Sequence, residues 1–323
     1  MIARLEISCV VIGRNEGAHL EAALRAAQQS LEESGVPGEV IYVDSASTDD
    51  SRSIASRVAG VRVLEVQDPA SNAAAARNLG ISVARGRYVQ LLDGDMRVDA
   101  GWLRKAVTLL ARRPGAALAG RLIETNARNT IWNRAFGQDW SRENGQAVVL
   151  GGAALWRREV LLELGGFDVA LRVGEDPDLC LRARALHHEL YQVDVPMATH
   201  DLDLRSWRDY LRRARAVGQS VANVAWRHPR SAFARGRFQR VLAWSIAAVL
   251  ALGLCFVAWP WGFLAMSAAA GLLFLRRLLL DLVAGSSLRD AGVHAAHVYL
   301  VKLPVAWSAL RQWQHMRRLR SSS

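Results

Sequence analysis

The sequence predicts an α/β fold, a doubly wound and mostly parallel sheet, followed by an interfacial amphipathic helix and a C-terminal helical membrane segment. Three observations carry that expectation. Strand-like and helix-like stretches alternate through the first hundred residues, and such alternation implies crossover helices and parallel strands. Residues 206–225 place apolar side chains on one helical face and arginines on the other. Residues 241–275, 35 in all, contain no charged side chain.

Apolar, β-rich runs give strands at 7–12, 39–43, 61–66 and 88–92. Helices are expected between them at 18–34, 49–58 and 71–84, and again at 101–113. Residues 117–150 read as mixed strands and loops with scattered aromatics; 151–168 return to strand, helix and turn. The helix at 206–225 carries Trp207, Tyr210, Leu211, Ala214, Val217, Val221 and Val224 on one face and Arg208, Arg212, Arg213 and Arg215 on the other. Its place just before the uncharged stretch suggests a helix lying in a membrane interface. The chain is thus expected to divide into an α/β body at 1–205, a basic helix and linker at 206–240, and a membrane region at 241–323.

Charge supports that division. The formal net charge is +11, yet up to His200 there are 23 Lys and Arg against 25 Asp and Glu, and afterwards 18 against 5. The uncharged run exceeds the roughly 20 residues of one crossing, and Pro260 and Gly262 near its middle suggest a hairpin of two helices. Its second limb, 261–275, is short for a full span, so a re-entrant or tilted course is the alternative. Arginines flank both sides, which by the positive-inside rule keeps both ends cytoplasmic. The basic excess coincides with the membrane signal, so anionic lipids rather than nucleic acid are its expected partners. Segment 294–313 contains Lys302 and Pro304 and is expected at the interface. No signal peptide precedes the first strand, so the body is expected at the cytoplasmic face of the inner membrane. The three cysteines, Cys9, Cys180 and Cys255, have no metal spacing and read as reduced thiols.

Open α/β sheets bind ligands beyond the carboxyl ends of their strands, where Asn15, Glu16, Asp44, Asp93 and Asp95 fall. No Gly-x-Gly-x-x-Gly or P-loop pattern occupies a strand-to-helix turn. In "YVQLLDGDM", residues 88–96, an apolar strand ends in two acids two positions apart, which in extended chain face the same side. Two such charges resist joint ionisation unless a cation lies between them; the same residues also read as the Asp-Gly turn of a hairpin.

Five separated motifs in order resemble the inverting family 2 glycosyltransferases of GT-A fold over about residues 6–200. They are "CVVIGRNEGAHLEAAL", "VIYVDSASTDDS", "AAAARNLGISVARGRYVQLLDGDM", "GGFDVALRVGEDPDLCLR" and the strand-end His200. The resemblance implies a nucleotide-diphosphate sugar donor, with Glu16 and Asp44 at the nucleoside, Arg77 at base or pyrophosphate, and Asp93 at ribose and metal. It further implies Mg²⁺ or Mn²⁺ held by Asp93, Asp95 and His200, and Asp176 as general base. Asp176 before Pro177 also reads as a helix N-cap. Ile12 and Ser45 depart from the family's common Pro and second acid, and neither removes a charge that the mechanism needs. No Gln-x-x-Arg-Trp run occurs, so transfer of single sugars is expected over polymerisation. The expected acceptor is a lipid-linked or cell-envelope glycan; polyprenyl phosphate, or a catalytically inactive membrane scaffold, are the alternatives.

Overall fold

The computed structural model describes residues 5–68, 70–113, 115–125, 130–137 and 144–321. Parts of the span read as mixed strands and loops, 126–129 and 138–143, lie outside the described residues, as do the first four residues. The chain forms two compact units. The first comprises residues 1–125 and 140–201, the second 126–139 and 202–323. The expected boundary at 205 thus lies close to that at 201, but segment 206–240 belongs with the C-terminal helices and 126–139 joins them from a distance in sequence.

In the first unit β1 (Ile7–Gly13), α1 (Leu20–Ser34), β2 (Gly38–Asp44), α2 (Ser51–Arg57), β3 (Val61–Glu65), α3 (Ala73–Val83) and β4 (Tyr88–Asp93) follow the expected alternation within two residues at most ends. β5 (Arg97–Val98), α4 (Trp102–Ala111) and β6 (Ala117–Glu124) come next, and α5 (Ile131–Gly137) lies in the second unit. The first unit then closes with β7 (Gly145–Ala147), β8 (Ala154–Arg157), α6 (Arg158–Glu163), α7 (Glu175–Ala185) and β9 (Leu190–His200).

The strand order is β3-β2-β1-β4-β8-β6-β9-β5, with β7 also on β9. β3, β2, β1 and β4 run parallel, whereas β8 enters antiparallel between β4 and β6, and β6 and β9 are again parallel. Every residue of β1 is buried, as expected of a parallel strand covered on both faces. Register then positions the acids: Gly13 pairs with Asp44, Ile12 with Asp93, and on the other half Glu124 stands beside His200. All four polar residues close strands at the sheet's carboxyl edge.

α3 is fixed by its own motif. Asn72 caps it by accepting from the Ala75 amide at 3.0 Å. A Cβ on Gly80 would overlap Val10 Cγ1, so the glycine lets the helix sit directly on β1. Asn78 exchanges two hydrogen bonds of 2.8 Å with the backbone of Phe167, tying the Gly-Gly-Phe-Asp loop to the helix.

The second unit contains α5, α8 (Trp207–Arg227), α9 (Ala232–Val257), α10 (Trp261–Val283), α11 (Leu288–Leu300) and α12 (Lys302–Ser321). Ser206 caps α8. Its apolar face, expected against lipid, is instead covered by protein: Tyr210 and Ala214 cluster with Ala135 and Phe136 of α5 and Val305 of α12. A Cβ on Gly218 would overlap the Val305 carbonyl oxygen, so α8 and α12 meet backbone to backbone. The same contact buries Val305, Ala306 and Ala309 of the segment expected at the interface. Physically, small residues at 214, 218 and 222 favour a close helix partner over mobile acyl chains. The apolar run folds as α9 followed by α10, and α10 extends to Val283 rather than ending at 275. Among the described residues α10 alone is long and apolar enough to cross a membrane.

Candidate active site

Arg77 on α3 organises one half of the strand-end site. Its side chain is only 4% exposed, and its Nη2 donates to Asp93 Oδ1 at 2.9 Å. Nη1 donates to Glu175 Oε1 at 3.1 Å and Asp176 Oδ1 at 3.2 Å, while the Phe167 ring lies 5.4 Å from the guanidinium carbon. Burial works against the guanidinium charge, but Asp176, Asp93 and Glu175 outweigh it and raise the pKa further. The buried cation therefore joins the end of β4 to the start of α7. Asp176 is not the cap of that helix: Gly174, at φ 93°, holds the cap position, and Asp176 lies inside the first turn with Glu175 and Asp178. There the helix dipole favours all three carboxylates.

The other half contains Asp95, His200 and Glu124. His200 Nε2 is 3.2 Å from Asp95 Oδ2, and Nδ1 is 3.6 Å from Glu124 Oε2. Burial alone would lower the imidazole pKa, but hydrogen bonding to Asp95 and Glu124 and the charges of Asp95 and Asp93 push it up to about 9. Asp95 Oδ1 is buried with no hydrogen-bond partner among the described residues. Glu16 lies over the gap: a Cβ on Gly94 would stand 2.8 Å from Glu16 Cγ, which explains why glycine separates the two aspartates. Burial, then the charge of Asp95, with smaller contributions from Asp93 and Asp49, push the Glu16 carboxyl up to about 7. The carboxylates of Asp95 and Glu124 thus share one imidazole on this side, with the Glu16 carboxyl close by. Among the described residues no three His, Cys, Asp or Glu side chains form a closed metal cluster. An orphaned carboxylate oxygen beside an imidazole nevertheless fits a hard cation whose remaining ligands come from elsewhere.

Asp44, the last residue of β2, is buried and turned inward. Its Oδ1 accepts from the Tyr42 hydroxyl at 3.0 Å and its Oδ2 from the Ser47 amide at 2.8 Å. Among the expected site residues, Arg77, Asp93 and Asp176 form one hydrogen-bonded group and Asp95 and His200 another; Asp44 keeps its own partners. Glu124 and Glu175 were absent from the expected set. Glu124 closes β6 as Asp93 closes β4, an acid at the carboxyl end of a strand, and that position is the signal that could have found it.

A glycosyl transferase family 2 model matches residues 8–165, and a glycosyl transferase family group 2 model matches residues 88–277, more than half of the chain. The chain belongs to glycosyltransferase family 2. The pre-mycofactocin glycosyltransferase of Mycobacterium tuberculosis is 28% identical to this glycosyltransferase over 167 residues, covering 48% of this chain and 35% of that protein. The chain therefore spans about a third of the length of that relative. The uncharacterized protein MT1568 of the same species is 28% identical over 268 residues, 74% of this chain and 75% of that one. Among solved structures, mannosyltransferase PcManGT from Pyrobaculum calidifontis, in complex with GDP-Man and Mn²⁺, has a TM-score of 0.58 at 22% identity, covering 96% of this chain and 88% of that one. S. aureus TarS 1–349 in complex with UDP-GlcNAc has a TM-score of 0.54 at 15% identity, covering 91% and 90%. These likenesses support the GT-A type fold of this glycosyltransferase.

Proposed function

We propose that the protein is an inverting transferase that moves one sugar from a nucleotide-diphosphate donor to a lipid-linked or cell-envelope glycan acceptor. The observation that carries this reading is the buried Arg77, which holds Asp93 of the Asp-Gly-Asp turn and Asp176 of α7 on opposite nitrogens of one guanidinium. A donor-side and an acceptor-side carboxylate are thereby fixed relative to each other, as a single displacement requires. Asp176 takes the proton from the acceptor hydroxyl as its oxygen attacks the anomeric carbon; the bond to the diphosphate breaks on the opposite side. Glu16 and Asp44 serve the nucleoside, and Asp93 the ribose. Arg77, expected at base or pyrophosphate, acts in this reading as a positioning residue.

Asp95 and His200 would hold Mg²⁺ or Mn²⁺, with Asp93 beside them. Such a cation, when bound, neutralises the diphosphate leaving group. PcManGT, whose structure contains GDP-Man and Mn²⁺, offers support by analogy. The apolar length of α10 and the exposed apolar side chains of α9 support attachment to a membrane, and the arginines that flank the uncharged run support a catalytic unit on the cytoplasmic side of the inner membrane. Ile246, Val249, Val257, Leu264 and Leu272 are all more than half exposed, an apolar surface suited to lipid. Incubation of the detergent-solubilised protein with a panel of nucleotide sugars tests the reading. Release of nucleoside diphosphate from one donor, and a product of inverted anomeric configuration, are expected; a retained configuration overturns single displacement.

A further inference from the structure

The second unit contains a cavity of about 400 Å³ between α8 and α12 that none of the candidate site residues lines. Among the described residues Arg215, Gln219, Trp307, Arg311, His315 and Arg318 line it, and no carboxylate does. α12 has no acidic residue along its length, and the one acid of α8, Asp209, is paired 2.9 Å from Arg212. Trp307 is half exposed, with the guanidinium carbon of Arg311 4.7 Å and that of Arg215 5.7 Å from its ring. Cations held on an aromatic face keep their outer donors directed away from the ring, a disposition suited to phosphate oxygens.

The level of this cavity along the unit is set by α9. Trp313 of α12 stacks on Phe238 at 4.6 Å, and Lys302 Nζ sits 3.4 Å above the Trp244 ring. α12 therefore crosses α9 where Arg235, Arg237 and Arg240 give way to the uncharged run. In a membrane this is the height of lipid headgroups, where Trp and Arg both concentrate.

We propose that the groove between α8 and α12 binds the phosphate headgroup of an anionic membrane lipid. The inference rests on the membrane attachment proposed above and is independent of the sugar chemistry. The phosphate oxygens accept from Arg215 and Arg311, Trp307 lies beside the glycerol, and the acyl chains run along α9.

Thermal melting of the full chain in neutral detergent, titrated with short-chain phosphatidylglycerol, tests it, because a ligand of the folded state raises Tm. A saturable rise is expected for the wild type and for Arg104→Gln/Arg112→Gln, which removes the same charge in the first unit. Arg215→Gln/Arg311→Gln should weaken apparent affinity about thirtyfold, roughly fivefold for each basic residue facing an anionic lipid. Phosphatidylcholine, inorganic phosphate and a short oligonucleotide should give little shift. Equal affinity in the groove variant, equal loss in the control variant, or an equal response to inorganic phosphate or the oligonucleotide would overturn the proposal. Recovery of the protein in the soluble fraction without detergent would overturn the membrane reading itself, before any lipid is added.

Discussion

Asp93 closes β4 and Asp95 lies two residues on, in the turn where the Met96 amide donates to the Asp93 carbonyl, yet the two live in different electrostatic surroundings. Asp93 is held by a buried guanidinium that also grips two acids of α7. Asp95 meets an imidazole on one oxygen and has nothing on the other among the described residues. A tight turn through Gly94, rather than the alternation of extended chain that the sequence suggested, brings the neighbouring acids to one edge of the sheet, and the partners supplied by distant elements then divide the work between them. One half is preassembled by protein charge; the other is left with an electrostatic deficit that a cation with donor phosphates can fill.

The largest expected effect comes from Asp176→Asn. The amide still accepts from Arg77 and keeps the size of the side chain, so fold and donor affinity should persist while turnover falls roughly 10²- to 10⁴-fold. Initial rates of nucleoside diphosphate release measure this, and near wild-type turnover would remove Asp176 from the chemistry. Next comes Arg77→Met, which leaves Asp93, Glu175 and Asp176 facing one another without their cation. Since these carboxylates are partly exposed, the loss of stability should lie near about 3 kcal/mol, the low end for a broken buried pair. Denaturant unfolding gives the value, and a change near zero would mean that the preassembled half is not held by charge.

The two aspartates themselves sharpen the contrast. Asp95→Asn should lower Mn²⁺ affinity by about ten- to a hundredfold or more, a scale seen even for outer-shell ligand changes. It should leave Tm nearly unchanged at pH 7, because the lost pair with His200 is offset by relief of the repulsion on Glu16. Asp93→Asn should instead lower Tm clearly, because its lost partner is the buried Arg77. Identical melting behaviour of the two variants would erase the distinction. The smallest effect is expected far from the site, where Arg85 and Ser8 hold Glu39. Burial raises the Glu39 pKa, but the hydrogen bonds from Arg85 and Ser8 and the Arg85 charge outweigh it and lower it below its usual value. Its stabilisation is therefore present above pH about 4.5 and lost as pH falls through the lower folded-state value. Melting curves of Glu39→Gln should lie slightly below wild type at pH 7 and converge with it in acid.

The first half of the fold was legible because its parallel strands centre on short β-branched and apolar runs, with β1 buried throughout, and each connection is a local crossover. Beyond residue 117 local pattern lost its hold. β6 finds its parallel partner β9 far along the chain, with β8 inserted antiparallel beside it, and β5 has only two residues. Asp93 and Asp95 were legible as acids at a strand end and His200 through the family resemblance, whereas Glu175 was hidden because its partner is a helix arginine 98 positions earlier. The cap reading of Asp176 failed because Gly174 takes the cap position in a left-handed conformation that no apolar pattern reveals. On α8 the amphipathic pattern was plain, but its small residues at 214, 218 and 222 were the better guide to what covers that face.

The most direct test of the division between the two aspartates is calorimetric titration of the donor nucleotide into the full chain, with Mn²⁺ and then with chelator. The arrangement around Asp95 and His200 predicts binding only when the cation is present, and loss of that dependence in Asp95→Asn. Equal affinity for the nucleotide in Mn²⁺ and in chelator would contradict it.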